Sequence, residues 1–197
     1  SGKGGITATS GTIYLNAKNN GVLKIADAIS TNGSNIDLIG SQDLRLVGSL
    51  ASVTSRNAGD VTLTAQTGDL VMAAQTLVDG GAGKVDLTAD QNLTIDQISS
   101  SAGAITAKAE NGNVTLNNDV SGGGAISITS AGDIALNKAT ADISATGNGG
   151  VLLTAQSGDI TQVDGSTIDG GNGTIGLTAK NSLTLDQIKT AGAAITL

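Results

Sequence analysis

The sequence contains no cysteine, proline, histidine, phenylalanine or tryptophan, and its one aromatic residue is Tyr14. Disulfides and thiol chemistry are therefore excluded, as are imidazole or thiolate metal sites and the usual serine and cysteine nucleophile arrangements. Compact globular cores normally use aromatic side chains for large blocks of buried area. The core of this chain must instead consist of thin layers of Ile, Leu, Val and Ala.

Charged residues are also scarce, at 14% of the 197 residues, against about 25% in ordinary soluble domains. The net charge is −7, and the few basic residues form no cluster. Nucleic acids and anionic membrane surfaces are bound through clustered Lys and Arg, so neither is an expected partner. No apolar run approaches the about 20 residues that span a bilayer. With 39% apolar residues, the chain is also unlike a disordered acidic tail.

What the sequence does contain is an internal duplication. Residues 61–107 align without a gap with residues 151–197, and 22 of the 47 paired positions are identical. Within and around the two copies, short apolar-x-apolar segments recur every 20 to 25 residues. These segments begin at Ile13, Ile36, Val61, Val85, Ile105, Ile126, Val151, Ile175 and Ile195. Fixed-period self-similarity is typical of repeat architectures, and it divides the 90-residue unit into four short coils.

Each coil is predicted to contain a strand, a tight turn, a second strand and a looser return. In the first coil these strands are residues 12–17 and 22–29. Alternation of apolar and small polar residues, as in Val61-Thr-Leu-Thr64, is typical of half-buried strands, and pairs such as Gly68-Asp69 mark turns. No window has the apolar periodicity of a helix.

The period predicts how these strands pair. Because equivalent strands recur with the same inward pattern, each is expected to pair in parallel with its counterpart one coil on. The predicted fold is an all-β parallel β-helix (solenoid) of about eight coils. Ile, Leu and Val at the first and third strand positions point inward, Leu153 among them, and Ala fills the corners.

Residues 1–197 are predicted to form a single β-helix segment of a longer repeat protein. Ile6–Ala8 has the pattern of the end of an earlier coil, and residues 194–197 that of the start of a later one. The coils starting at Ile36, Val61, Ile126 and Val151 hold extra residues in the return, as in residues 48–59 and 140–150. Insertions at one position of a repeat map to one face, which is often a binding face; loop variation without a partner is the alternative.

Asp79-Gly-Gly-Ala-Gly-Lys-Val-Asp86 is similar to calcium-binding glycine-aspartate repeats. Its equivalent in the second copy has Gly176 in place of the second Asp, so a glycine turn is favoured over a metal site. Asp69, Asp133 and Asp159 in Gly-Asp turns could share a cation between coils or cap turns without one. We assign no metal-binding and no cofactor-binding residue.

The repeated Asp-Gln-Ile triplets place Asp96 and Asp186 four coils apart, roughly 19 Å along the stack. Paired glycosidase carboxylates lie within about 5 to 10 Å, so this pair is excluded as acid and base. Residues 121–125 are expected to form a corner, since neither a Lys nor a helix follows as in a phosphate loop. We assign no catalytic residue and expect that the protein is not an enzyme.

Two phrases carry a family resemblance: Ala155-Gln-Ser-Gly-Asp-Ile160 and Gly173-Thr-Ile-Gly-Leu-Thr-Ala179. From Ile13 onward the chain resembles the repeat region of filamentous-haemagglutinin-like exoproteins of two-partner secretion. The resemblance implies a right-handed parallel β-helix that forms the shaft of a large adhesin, secreted by or displayed on a Gram-negative bacterium. The family's amino-terminal secretion domain is not recognisable in this sequence.

The expected function is structural, a rigid spacer whose partners are neighbouring coils of the same long chain. One alternative is a glycan- or receptor-binding face on the longer return loops, for a host or bacterial surface partner, where Tyr14 is the one side chain able to stack on a sugar ring. A third possibility is a β-helix enzyme acting on polysaccharide, which would require a groove with clustered carboxylates or Arg.

Overall fold

The computed structural model describes residues 4–197, and all regular structure in that range is β-strand. The described part of the chain contains no helix of the length and hydropathy that a membrane crossing requires. The absence of helices agrees with the sequence, in which no segment has the periodicity of a helix.

Residues 4–197 contain 26 short strands, most of three to five residues. In chain order they are β1 (Ile6–Ala8), β2 (Ile13–Ala17), β3 (Leu23–Ile25), β4 (Ile29–Thr31), β5 (Ile36–Gly40), β6 (Leu44–Leu46), β7 (Ser52–Ser55), β8 (Val61–Ala65), β9 (Leu70–Met72), β10 (Leu77–Asp79), β11 (Val85–Ala89), β12 (Leu93–Ile95), β13 (Gln97–Ser100), β14 (Ile105–Ala109), β15 (Val114–Leu116), β16 (Val120–Gly122), β17 (Ile126–Ser130), β18 (Ile134–Leu136), β19 (Ile143–Ala145), β20 (Val151–Ala155), β21 (Ile160–Gln162), β22 (Thr167–Asp169), β23 (Ile175–Ala179), β24 (Leu183–Thr184), β25 (Gln187–Lys189) and β26 (Ile195–Thr196).

Every third strand belongs to the same sheet, which gives three parallel sheets. Sheet A runs from β1 through β4 and β7 to β25, sheet B from β2 through β5 and β8 to β26, and sheet C from β3 through β6 and β9 to β24. The nine strand starts predicted from the sequence are the first residues of the nine strands of sheet B. The predicted parallel β-helix of about eight coils is confirmed.

Like residues stack on like along the rod. Strands β8 and β11 pair over five residues, with Leu63 opposite Leu87 and Ala65 opposite Ala89. The first, third and fifth positions of these strands are buried, and the second and fourth face outward. Leu153 has no exposed surface, so its predicted inward orientation is confirmed. Each such buried Leu contributes about 1.5 to 3 kcal/mol of hydrophobic stabilisation.

The predicted looser return is wrong in one respect, because it contains a third strand. The predicted strand 22–29 is divided between β3 in sheet C and β4 in sheet A. The chain turns at Asp27, whose Oδ1 accepts the backbone N–H of Ala28 at 3.0 Å. Likewise, the return segments 48–59 and 140–150 contain β7 and β19, each with buried apolar residues that complete the core.

The extra residues of the four longer coils lie between sheets C and A. These connections, here called the long corners, are residues 47–51, 73–76, 137–142 and 163–166. They have four to six residues, whereas the same connection has one to three residues in the other coils. The prediction that the insertions share one side of the rod is confirmed. In a three-sided coil this edge lies opposite sheet B.

Candidate functional site

A ladder of Asp and Asn side chains runs along the corner between sheets B and C. In each of six consecutive steps, Oδ1 of one residue accepts the backbone N–H of the equivalent residue on the next coil, at 2.7 to 3.1 Å. The acceptors, here called the Asx ladder, are Asp43, Asp69, Asn92, Asn113, Asp133 and Asp159, and the last N–H donor is Ser182.

The Asx ladder shows what the carboxylates in the Gly-Asp turns bind. Asp69, Asp133 and Asp159 bind the backbone of the following coil, so their carboxylates join coils directly. Each step uses one acceptor oxygen, which explains why Asn92 and Asn113 serve as well as Asp. Most of these steps are exposed, so each contributes about 0.5 to 1.5 kcal/mol, as an ordinary hydrogen bond does. The ladder therefore helps to hold successive coils together along the rod.

Asp43 begins the ladder and is also ion-paired. Its Oδ2 accepts hydrogen bonds from Arg45 Nη2 at 2.8 Å and Nε at 3.1 Å, and its Oδ1 accepts the N–H of Asp69 at 3.0 Å. Burial alone would raise the pKa of Asp43, but the hydrogen bonds from Arg45 and Asp69, together with the charge of Arg45, outweigh it. The net effect lowers the pKa of Asp43 below its ordinary value of 3.8.

This lowered pKa gives an expected pH dependence. A carboxyl whose pKa is lower in the folded state stabilises the fold above its unfolded pKa, and that stabilisation is lost as pH falls through the folded pKa. The thermal midpoint should therefore fall as the solution is acidified below about 3.8, and the Asp43→Asn variant should show a smaller fall, measured by circular dichroism. Arg45→Gln removes the same ion pair and should behave alike. Unchanged acid transitions in both variants would contradict the assignment.

The calcium-like motif is a pair of ordinary turns. Asp79 Oδ1 accepts the N–H of Gly81 at 2.9 Å, and Asp169 Oδ1 accepts the N–H of Gly171 at 2.8 Å. Both glycines have positive φ, 57° and 55°, which the bend requires and which a side chain would disfavour. Asp86 lies on the outer face of sheet B, half-buried. Within residues 4–197, no three His, Cys, Asp or Glu residues are grouped so as to hold a metal ion.

Calcium is accordingly expected to leave the stability unchanged. The thermal midpoint in millimolar calcium should equal that in a chelator, because the Asp79 carboxylate is held by its own turn and Asp86 lies on the outer face of β11. Differential scanning calorimetry of the wild type and of Asp79→Asn measures this. A calcium-dependent rise of the thermal midpoint that is present in the wild type and absent in Asp79→Asn would show that Asp79 belongs to a calcium site.

Asp96 and Asp186 occupy equivalent corners four coils apart, between β12 and β13 and between β24 and β25. Asp96 is buried, and its Oδ2 accepts the N–H of Thr76 at 3.0 Å; Asp186 Oδ2 accepts the N–H of Gly165 at 2.7 Å. Each carboxylate thus holds the long corner of the preceding coil. The separation predicted from the sequence is confirmed for this pair, which cannot act jointly as acid and base.

Glycines line the corner between sheets A and B. They form a column with one member per coil: Gly59, Gly83, Gly103, Gly124, Gly149 and Gly173. A Cβ on any of them would meet the backbone of the preceding coil, and for Gly103 it would overlap the carbonyl group of Gly83. The corner predicted at residues 121–125 is confirmed for residues 123–125, which include Gly124 of this column, and is wrong for Ser121 and Gly122, which belong to β16. The column allows the backbones of successive coils to approach closely.

Tyr14 and the long corners lie on opposite sides of the rod. Tyr14 is on the outer face of sheet B, 58% exposed, and its Oη accepts a hydrogen bond from Asn16 Nδ2 at 2.9 Å. The largest exposed apolar side chain of the long corners is Leu50, 48% exposed. A sugar ring stacked on Tyr14 would therefore not contact the long corners.

No protein-family model, curated protein or solved structure matches the chain.

Proposed function

We propose that the chain is a structural shaft, a rigid spacer in a large cell-surface or secreted bacterial exoprotein of the adhesin type. The observation that carries this proposal is the uninterrupted register of the stack. Sheet B pairs from β2 to β26 with equivalent residues opposite one another at every step. A stack of this regularity can be extended coil by coil without change, as a spacer requires.

The stiffness expected of a spacer comes from this register. Each coil contacts its two neighbours, so stability is approximately a sum of coil and nearest-neighbour terms. A continuous apolar core, from Ile13 to Leu177, fills the interior. Eight coils at about 4.8 Å each give a rod about 40 Å long. Additional coils of the same kind would lengthen such a rod without changing its cross-section.

The surface also suits an exposed shaft. The chain has ten Lys and Arg residues in total, which leaves few sites for trypsin-like proteases. Backbone hydrogen bonds between coils protect the chain further, since proteolysis requires local opening. The resemblance of residues 155–160 and 173–179 to exoprotein repeats supports placement at the surface of, or outside, a Gram-negative cell.

Protease shaving of intact source cells tests the proposal. An antibody raised to this segment should detect a polypeptide much larger than 19.1 kDa that disappears when whole cells are treated with a broad-specificity protease. A cytoplasmic marker should survive in the same cells. A band that persists after shaving and disappears only when the cells are lysed would overturn the surface location.

Glycan or receptor binding on the long corners stays the alternative. The position of Tyr14 favours the spacer, because the single aromatic residue is remote from these corners. Binding of labelled glycans that is lost on shortening residues 137–142 and retained in Tyr14→Ser would favour the alternative instead.

A further inference from the structure

The outer face of sheet B carries an exposed aromatic side chain near one end and a depression near the other. Tyr14 projects from β2. The depression has a volume of about 410 Å³ and lies across β17, β20, β23 and β26. Leu152, which is 49% exposed, and Gly176 are part of its lining. A face with a projection at one end and a recess at the other is complementary to a second copy of itself that is turned end for end.

The recess is specific to the second copy of the duplicated unit. Leu152 and Gly176 occupy the positions that Thr62 and Asp86 hold in the first copy. Both changes replace an outward polar side chain by an apolar one or by none. Leu152 leans over the space that a side chain at residue 176 would fill, with its Cδ1 3.1 Å from the site of the absent Cβ. The outward face is thus recessed and apolar at this point.

The projection and the recess lie in the same column. Tyr14, Leu152 and Gly176 are all at the second position of their strands, and the register of sheet B keeps second positions aligned. Six pairing steps separate β2 from β20 and seven separate it from β23, a distance of about 29 to 34 Å. Rotation of a second copy about a twofold axis parallel to the strands lays two rods antiparallel. That rotation places the second-position column of one copy opposite the second-position column of the other.

We propose that sheet B is a dimerisation surface and that its occupant is a second, antiparallel copy of this chain. In this arrangement Tyr14 of each copy enters the recess at Leu152 and Gly176 of the other, so the same contact forms twice, as a twofold interface requires. Near the middle, the Asp86 side chains of the two copies face each other, and Lys108 of each copy, two positions further along its strand, flanks this pair. Lys108 at present pairs with Glu110 at 2.8 Å, on the surface.

The face has sufficient area and is unobstructed. In this arrangement the copies overlap from β2 to just beyond β20, about 36 Å along the rod and about 16.5 Å along the strands, which covers about 600 Å² per copy, or about 1,200 Å² in total. Stable interfaces begin at about 1,200 Å². The long corners lie at the opposite edge of the rod, so none of them separates two sheet B faces. Aromatic side chains seated in a recess often dominate such interfaces.

Disulfide trapping tests the arrangement, since the chain has no cysteine of its own. The Tyr14→Cys/Gly176→Cys double variant should give a discrete covalent dimer on a non-reducing gel after mild oxidation. Neither single variant should exceed background, because in the antiparallel dimer like positions lie at opposite ends of the rod. Absence of the dimer, or a ladder of higher polymers, would overturn the proposal.

Sedimentation equilibrium provides the second test without new cysteines. The wild type should approach twice 19.1 kDa at high micromolar concentration, and Tyr14→Ser should weaken association about tenfold or more. The control is Val22→Ser, which removes an exposed apolar side chain at the corner between sheets B and C, away from this face. A monomeric wild type, or equal weakening by both variants, would overturn the interface.

Discussion

Replacing Leu153 by Asp is expected to lower the free energy of unfolding by about 4 kcal/mol or more, the effect of an unpaired charge in a closed apolar layer. Leu153 has no exposed surface and is paired between Ile128 and Leu177 on the adjacent coils. Neither neighbour offers a hydrogen bond to a carboxylate. Urea unfolding followed by circular dichroism measures the loss, provided that the transition remains cooperative.

The same substitution at Thr161 is the matched control. Thr161 belongs to the same coil but faces outward from β21, half-buried, so Thr161→Asp should change the stability by about 1 kcal/mol or less. Leu153→Ala should lie between the two variants, with a loss of about 2 to 5 kcal/mol from the cavity alone. If Leu153→Asp and Thr161→Asp have the same urea midpoint of unfolding, Leu153 is not in the core.

Gly103→Ala should also have a large effect, a loss of about 3 kcal/mol from a single added methyl group. The new Cβ would overlap the carbonyl group of Gly83 on the preceding coil. Gly103 cannot readily move away, because its own carbonyl oxygen accepts the N–H of Gly124 from the following coil at 3.2 Å. The measurement is the urea midpoint, with an unchanged dependence on denaturant showing that the fold is retained.

Ala102→Val serves as the comparison, since it also enlarges a side chain and Ala102 is exposed. Its effect should stay within about 0.5 kcal/mol. Equal stability of Gly103→Ala and the wild type would mean that successive coils separate easily at this corner. The close backbone approach would then have no role in holding the stack.

Strand starts, pairing direction and inward residues all followed from the sequence because they rest on one periodic signal. An apolar residue recurs in every coil at the position of Val61. Stacking these equivalent residues on one another buries all of them together. The same periodicity located the extra residues of the longer coils. In this chain the repeats carried the information about the fold that aromatic residues and sequence motifs carry in other proteins.

The third strand of each coil escaped prediction most completely where only one of its residues faces inward. Strands such as β10 and β22 have three residues with one buried side chain, Val78 and Ile168. A single inward residue gives no period-two pattern, and the neighbouring Gly and Asp residues resemble a loop. The information was present one coil away, in the equivalent Val53 and Ile188, and needed comparison between coils.

The Asx ladder was missed for a related reason. Asp69 and Asp133 each lie in a local Gly-Asp turn, and local turn chemistry accounts for such residues without a distant partner. The partner is a backbone N–H 20 to 26 residues further on. Reading Asp43, Asn92 and Asn113 as one column would have suggested it, since all three occupy the turn after the sheet B strand.

The inter-coil hydrogen bonds run along the rod, and this direction determines how the molecule yields to a pulling force. Tension between the two ends of the chain detaches the terminal coils first, because each inner coil is held by a neighbour on both sides. One coil of about 24 residues releases about 80 Å of extended chain in exchange for about 4.8 Å of rod. A tether of this design lengthens by discrete increments and dissipates load as it does so, while the coils that remain stay fully formed.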